Sequence, residues 1–257
     1  MLLQKLADVL LPRYCRGCDG RLTGSEKDLC LHCLIKLPRT ELWLNPEENV
    51  LAKNFWGRTG RTEVNKVAAF LAYGKTTTTG RIVHAFKYRG DKRLAYDMGC
   101  LMAQELRDTG FFENIDCLIP MPLTLWRRLR RGYNQAECLA RGIGKETGLP
   151  VYAGILGRRR FRMSQTVLTV RERSKNVAGS FFVRQKRVDS LKGMHLLLID
   201  DVITTGATTR ECVRQLAIIP EVKVSVLAFS TVQSAEMRVE LTNKIKNKNN
   251  IENEESN

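Results

Sequence analysis

The chain has 257 residues, 43% of them hydrophobic, with 42 Lys and Arg against 27 Asp and Glu for a formal charge of +15. That length holds one sizeable α/β domain plus a small module, and that apolar content excludes a chain that is disordered throughout. No apolar run approaches the roughly 20 residues a membrane-spanning helix needs.

At the amino terminus Leu2, Leu3, Leu6, Val9 and Leu10 lie on one face of a short predicted helix. Gln4, Lys5 and Asp8 interrupt the apolar run, which argues against a signal peptide, and a cytoplasmic protein is expected. Cys15, Cys18, Cys30 and Cys33 follow in the spacing C-x2-C-x11-C-x2-C, which points to four thiolates around one structural zinc. Gly17 favours a knuckle in the first pair, and Arg13, Arg16 and Arg21 would offset thiolate charge. A segment this small buries too little surface to fold alone, whereas metal binding contributes roughly 10–16 kcal/mol in zinc-finger peptides. His32 lies inside the second pair and reads as a neighbour of the metal, not a ligand. Disulfides and redox-active dithiols are the alternatives; the lack of an export signal weighs against the first and the matched knuckles against the second.

Residues 1–37 are therefore expected to form a zinc-ribbon-like module, 38–64 a linker, 65–235 the main domain and 236–257 a polar, disordered tail. Trp43, Phe55 and Trp56 would dock the linker onto the main domain, with base stacking as the other use of such rings. The main domain opens with an alternating segment at 67–73, a helix over 79–88 with Ile82, Val83 and Phe86 inward, and a second helix over 92–107. A buried strand at 115–119 leads into a basic loop at 126–133 and a helix over 134–146. The arginines of that loop suit phosphate oxygens; a solvated basic loop or a nucleic-acid contact is the competing reading. A strand at 151–156 precedes a second basic stretch, 157–176, whose lack of apolar periodicity reads as a lid. Cys100, Cys117, Cys138 and Cys212 sit in apolar patterns as buried thiols.

The most telling stretch is LLLIDDVITTGAT at 196–208. An apolar run suited to a strand buried on both faces meets adjacent carboxylates, Asp200 and Asp201, then a turn of Thr204, Thr205, Gly206, Ala207 and Thr208, then a helical pattern. This order places the turn at the carboxyl edge of a parallel sheet, where open α/β folds bind ligands. Unpartnered N–H groups at the helix start, threonine hydroxyls and a glycine form a cup for a phosphate monoester. The carboxylates would repel that phosphate, so they suit sugar hydroxyls beside it, and together the features describe a cradle for a ribose 5-phosphate. A helix-capping turn is the plainer alternative. Two clustered acids at a strand end, however, are costly without a partner.

The same stretch resembles the phosphoribosyl-pyrophosphate (PRPP) signature of type I phosphoribosyltransferases. The paired CxxC motifs, FKYRGD at 86–91, IPMPL at 119–123, RRGYNQA at 130–136, Gln165 with Arg171, and NVAGSF at 176–181 narrow the resemblance to the competence-associated ComF family. It implies an α/β fold with a phosphoribosyltransferase-like parallel sheet flanked by helices and a small amino-terminal four-cysteine zinc module. It implies that PRPP is bound with Mg2+, Asp200 and Asp201 gripping the ribose hydroxyls as the catalytic pair and Thr204 to Thr208 anchoring the 5-phosphate. Arg131, Asn134 and Gln135 would meet the pyrophosphate, with Lys87 in reach and Arg158, Gln165 and Arg171 on the closing lid. The resemblance also implies a role in natural transformation, with single-stranded DNA and other DNA-uptake proteins as partners, and the net charge of +15 suits such a polyanion. For Lys87 the alternative is a simple charge at a helix end. For the whole chain the alternative is an active transferase, unrelated to DNA, that moves ribose 5-phosphate from PRPP to an unidentified base or amine.

Overall fold

A computed structural model describes residues 12–55, 64–123, 125–158 and 179–233 of the chain. Its centre is a parallel sheet of β1 (Val64–Tyr73), β2 (Cys117–Pro120), β5 (His195–Ile203) and β6 (Lys223–Val232), in the order β1-β6-β5-β2. A parallel sheet covered on both faces demands near-continuous apolar runs. Leu196 to Ile199 and Val226 to Phe229 provide them, each 0% exposed. The run at 67–72 is likewise buried throughout instead of alternating, because chain covers both faces of β1.

The described α-helices are α1 (Leu31–Ile35), α2 (Val50–Lys53), α3 (Thr78–Tyr88), α4 (Lys92–Leu106), α5 (Leu125–Arg131), α6 (Gln135–Thr147) and α7 (Ala207–Leu216), and a small antiparallel pair joins β3 (Leu156–Arg158) to β4 (Phe181–Val183). Side-chain caps start α3, α4 and α6: Thr77 accepts from the Gly80 N–H, Asp91 from Leu94 and Asn134 from Ala136. Helices α4 and α6 cross in backbone contact. A methyl on Gly99 would lie 2.2 Å from the Leu139 carbonyl oxygen, and one on Gly142 would lie 2.1 Å from that of Tyr96. The helix propensity an alanine would add, about 1 kcal/mol, cannot offset such a clash.

The structure also departs from the sequence reading in three backbone segments after β1. The basic segment expected as a loop is the helix α5, because leucine and arginine are good helix formers. It stops where Gly132 turns left-handed at φ 74°. The strand expected at 151–156 shrinks to one parallel bridge between Val151 and Leu118, after which the chain turns at Gly154 (φ 81°) and pairs β3 with β4 outside the main sheet. Strand β5 runs on past Ile199 through the acidic pair to Ile203, its ladder with β6 including Asp200 against Ala228.

Residues 38–55 lie against the outer edge of the sheet. The Thr40 N–H donates to the Phe70 carbonyl at 3.0 Å, and the Ala72 and Val67 N–H groups donate to Pro38 and Pro46. Trp43 and Phe55 are buried, so these rings dock the segment, as expected, and present no face to a base. Trp56, the helical pattern at 2–10 and the tail lie outside the described residues. Cys117 and Cys212 are buried thiols, while Cys100 and Cys138 are half-buried. No helix among the described residues is long and apolar enough to cross a membrane.

Candidate functional site

The carboxyl ends of neighbouring strands β2 and β5 open onto one cavity of about 230 Å³. Its wall brings together Lys87, Arg131, Asn134, Gln135, Arg158, Asp200, Asp201 and Thr208, residues spread over more than a hundred positions of sequence. Met121, Pro122, Leu123, Ala136 and Val202 complete the lining. Gln165 and Arg171 lie outside the described residues.

The acidic pair is held tightly. The Asp201 N–H donates to Asp200 Oδ1 at 2.8 Å, and Thr209 Oγ1 donates to Asp200 Oδ2 at 3.2 Å. Lys87 Nζ stands 3.2 Å from Asp201 Oδ2. Burial, reinforced by the neighbouring Asp201 charge, pushes the Asp200 carboxyl up to about 7, with Lys87 and Thr209 opposing. Thr209, buried as the third residue of α7, is a site residue the sequence reading missed. A hydroxyl two positions into a helix just past an acidic pair was the available signal.

On the opposite wall, α6 begins with residues that place a guanidinium. Gln135 is buried, and its amide joins two partners: Nε2 donates to the Phe86 carbonyl at 3.0 Å, while Oε1 accepts from Arg131 Nη1 at 3.1 Å. The Tyr133 hydroxyl donates to the same Phe86 carbonyl at 2.5 Å. Asn134 caps α6 and donates from Nδ2 to the Met121 carbonyl at 2.9 Å. Asn134 and Gln135 thus fix the loop and aim Arg131. Arg158, at the end of β3, lies over the Phe181 ring at 4.9 Å.

The threonine loop leads into α7. Gly206 is its cap residue, left-handed at φ 70° and without a side-chain cap bond. The Ala207 N–H reaches only Thr205 Oγ1, at 3.4 Å, and Thr204 and Thr205 are exposed. A loop of this kind presents helix N–H groups and hydroxyls to an anion. The cavity is therefore bipolar: carboxylates on β5, cations from α3, α5 and β3, and a helix start at its rim.

The second candidate centre is the cysteine cluster. One ligand atom from each of Cys15, Cys18, Cys30 and Cys33 lies within 4.8 Å of all the others. Sulfurs held tetrahedrally about 2.3 Å from a metal would sit roughly 3.8 Å apart, and Cys18 Sγ to Cys30 Sγ is 3.8 Å. Burial raises the Cys15 thiol, but N–H groups of Cys30, Gly17 and Cys18 outweigh it and bring it down to about 7, whereas burial and the neighbouring sulfurs push the Cys33 thiol up. Donors aimed at sulfur favour thiolate, the form that binds metal. A methyl on Gly17 would meet Thr78 Cγ2 at 2.8 Å and Cys33 Sγ at 2.9 Å, so only glycine lets the first knuckle sit against both the second and the start of α3. The four sulfurs fit a structural metal; His32 is not in the cluster.

No family model matches the chain. It is 29% identical over 139 residues to the DNA utilization protein YhgH of Salmonella typhimurium, a match covering 52% of this chain and 59% of that protein. It is 27% identical over 133 residues to competence protein F of Haemophilus influenzae, covering 51% and 58%. The chain thus spans a little under three-fifths of the length of these curated relatives. In structure it is similar to the glutamine PRPP amidotransferase of B. subtilis, with 19% identity and a TM-score of 0.40 over 58% of this chain and 30% of that one. The chain is a homologue of competence and DNA-utilization proteins, in keeping with the ComF resemblance of its motifs.

Proposed function

We propose that this homologue of competence and DNA-utilization proteins is a PRPP-binding, phosphoribosyltransferase-like protein that handles incoming DNA on the cytoplasmic side of natural transformation. The observation that carries the reading is the bipolar cavity, with Asp200 and Asp201 facing Lys87, Arg131 and Arg158 across about 230 Å³. A ribose bearing phosphates at both ends matches that polarity. The carboxylates would accept from the ribose hydroxyls, the loop from Thr204 to Thr208 would donate to the 5-phosphate, and Arg131 and Arg158 would face the pyrophosphate.

Magnesium fits this site only in company. Asp200 and Asp201 are hard oxygen donors, but Thr209, a backbone N–H and Lys87 already engage them. The ion would be held largely by pyrophosphate oxygens beside the pair and would supply charge neutralisation there. In the cysteine cluster the proposed metal is zinc, by the four-sulfur donor set.

The alternative, turnover, would break the C1–oxygen bond of PRPP, release pyrophosphate and form a bond from C1 to an acceptor nitrogen that loses its proton. Arg131 would then stabilise the leaving group. Either reading sets the ligand's direction. Arg131→Ala is expected to weaken PRPP binding about 10- to 100-fold, as loss of a charged hydrogen bond does, while changing ribose 5-phosphate binding less than about threefold. Equal losses for both ligands in competition binding would contradict that orientation.

A further inference from the structure

Consecutive side chains at the start of α7 reach different parts of the molecule. Thr208 lines the bipolar cavity, and Thr209 donates to Asp200 Oδ2 at 3.2 Å. Glu211, buried, accepts from the Gly179 N–H at 3.0 Å, just ahead of β4. Arg210 stands between them, half-buried, and turns back along the helix towards the threonine loop. A methyl on Gly206 would lie 3.0 Å from its Nη1. The same Nη1 donates to the Asn54 carbonyl at 3.4 Å, and the guanidinium lies 6.0 Å from the centre of the Phe55 ring. Arg210 thus sits between the edge segment at 38–55 and the glycine of the loop.

A cation in this position is unfavourable by itself. The start of a helix is the positive end of its dipole, and the side chains that stabilise it are acidic. No acid occupies the first turn of α7, and no side chain caps it. An arginine on a helix surface can keep its charged head in water. Here Asn54 and the buried Phe55 hold the guanidinium against the helix start instead. Both anchors belong to a fixed frame, since Asn54 closes α2 and Phe55 is 1% exposed. The loop therefore combines helix N–H groups, the threonine hydroxyls and a guanidinium. A phosphate dianion offers oxygens for all three, whereas a sugar hydroxyl carries no charge to balance them.

We infer that Arg210 is a ligand of the 5-phosphate and sets the preference of this site for a phosphorylated ribose. The inference rests on the PRPP reading of the cavity and adds to it a residue that no motif of the sequence marks. Arg210 then holds one end of the ligand, and Arg131 and Arg158 hold the other. Gly206 acquires a second reason beside its φ of 70°: a side chain there would meet Arg210 at 3.0 Å and Phe55 Cζ at 3.6 Å, displacing the guanidinium from the loop.

The test is calorimetric titration of the full chain with ribose 5-phosphate, PRPP with magnesium, and pyrophosphate with magnesium, before and after Arg210→Met. Methionine keeps an unbranched apolar stem beside Phe55 and removes the charge. The variant is expected to weaken ribose 5-phosphate and PRPP alike by about 10- to 100-fold, as loss of a charged hydrogen bond does, and to leave pyrophosphate within about threefold. That pattern is the reverse of the one expected for Arg131→Ala. Arg210→Gln, neutral but polar, should separate the ligands in the same way, so the outcome does not depend on how well methionine packs. Arg210→Lys keeps the charge without the fork and should recover part of the loss. A residue that only braced the loop from outside would lower the melting temperature without separating the ligands. Ribose 5-phosphate affinity unchanged in both neutral variants, or equal losses for ribose 5-phosphate and pyrophosphate, would overturn the assignment. Failure of the unaltered chain to bind either ribose 5-phosphate or PRPP would instead overturn the PRPP reading beneath it.

Discussion

Replacing Asp200 and Asp201 together by asparagine is expected to abolish measurable PRPP binding while leaving the chain at least as stable at neutral pH. Each carboxylate would accept charge-assisted hydrogen bonds from ribose hydroxyls, worth about 1.5–3 kcal/mol apiece, so losing both weakens binding by roughly 10²- to 10⁴-fold. Stability moves the other way because the pair is held against its own repulsion. Burial and the Asp201 charge raise the Asp200 carboxyl to about 7. A carboxyl raised on folding contributes stability that is complete below its ordinary range and is lost as pH rises towards 7. Near pH 8 the native chain therefore bears a cost of a few kcal/mol that asparagine removes. The Lys87 pair lost with it is worth about 1 kcal/mol or less at a partly exposed position. Thermal melts should show stability falling from about pH 4 to about pH 7 in the unaltered chain and a flatter profile in the variant. Ligand should favour the ionised carboxyl, so PRPP should bind more tightly as pH rises through 7. Unchanged PRPP affinity in the variant would remove these residues from the ribose site.

Loss of metal is expected to have the other large effect. Cys15→Ser with Cys33→Ser removes the two buried sulfurs of the cluster. Metal coordination contributes roughly 10–16 kcal/mol in zinc-finger peptides, far beyond what so small a segment gains by burial. The loss should be greatest in the module, which touches the helices through the ion pairs Arg16 to Asp91 and Arg81 to Asp19, both 2.9 Å, and adds Cys15, Leu22, Leu29, Cys33 and Leu37 to the core it shares with the sheet; the central strands keep the rest of that core. Elemental analysis should find one zinc per unaltered chain and none in the variant. Hydrogen exchange should show protection lost at 12–37 and kept in β5 and β6. A metal-free unaltered chain with a protected module would refute the assignment.

Much of this architecture is legible in the sequence because its signals are local. An apolar run of four residues ending in paired aspartates reads as a buried strand, and β5 is that strand. The cysteine spacing likewise predicts convergence of four sulfurs, and the structure brings them within 4.8 Å. Helices α3, α4 and α6 carry clear periodicity and appear within two residues of their expected bounds. What local pattern cannot convey is long-range pairing. Nothing at 64–73 says that β1 will lie beside β6, the last strand of the sheet, or that 38–55 will cover its edge. The basic segment before Gly132 was misread because arginine marks both phosphate loops and good helices. Gln135 shows the limit most clearly. The motif places it at the pyrophosphate, whereas the structure also gives its amide a buried partner in Phe86, 49 residues away, which sequence spacing cannot reveal.

The most direct measurement is a calorimetric titration of the purified chain with PRPP and magnesium, with ribose 5-phosphate and pyrophosphate as separate ligands. The bipolar cavity predicts that PRPP binds more tightly than either part, that its affinity depends on magnesium, and that ribose 5-phosphate competes for the same site. Absence of PRPP binding, or a PRPP affinity no better than that of pyrophosphate alone, would contradict a pocket in which Asp200 and Asp201 hold the ribose.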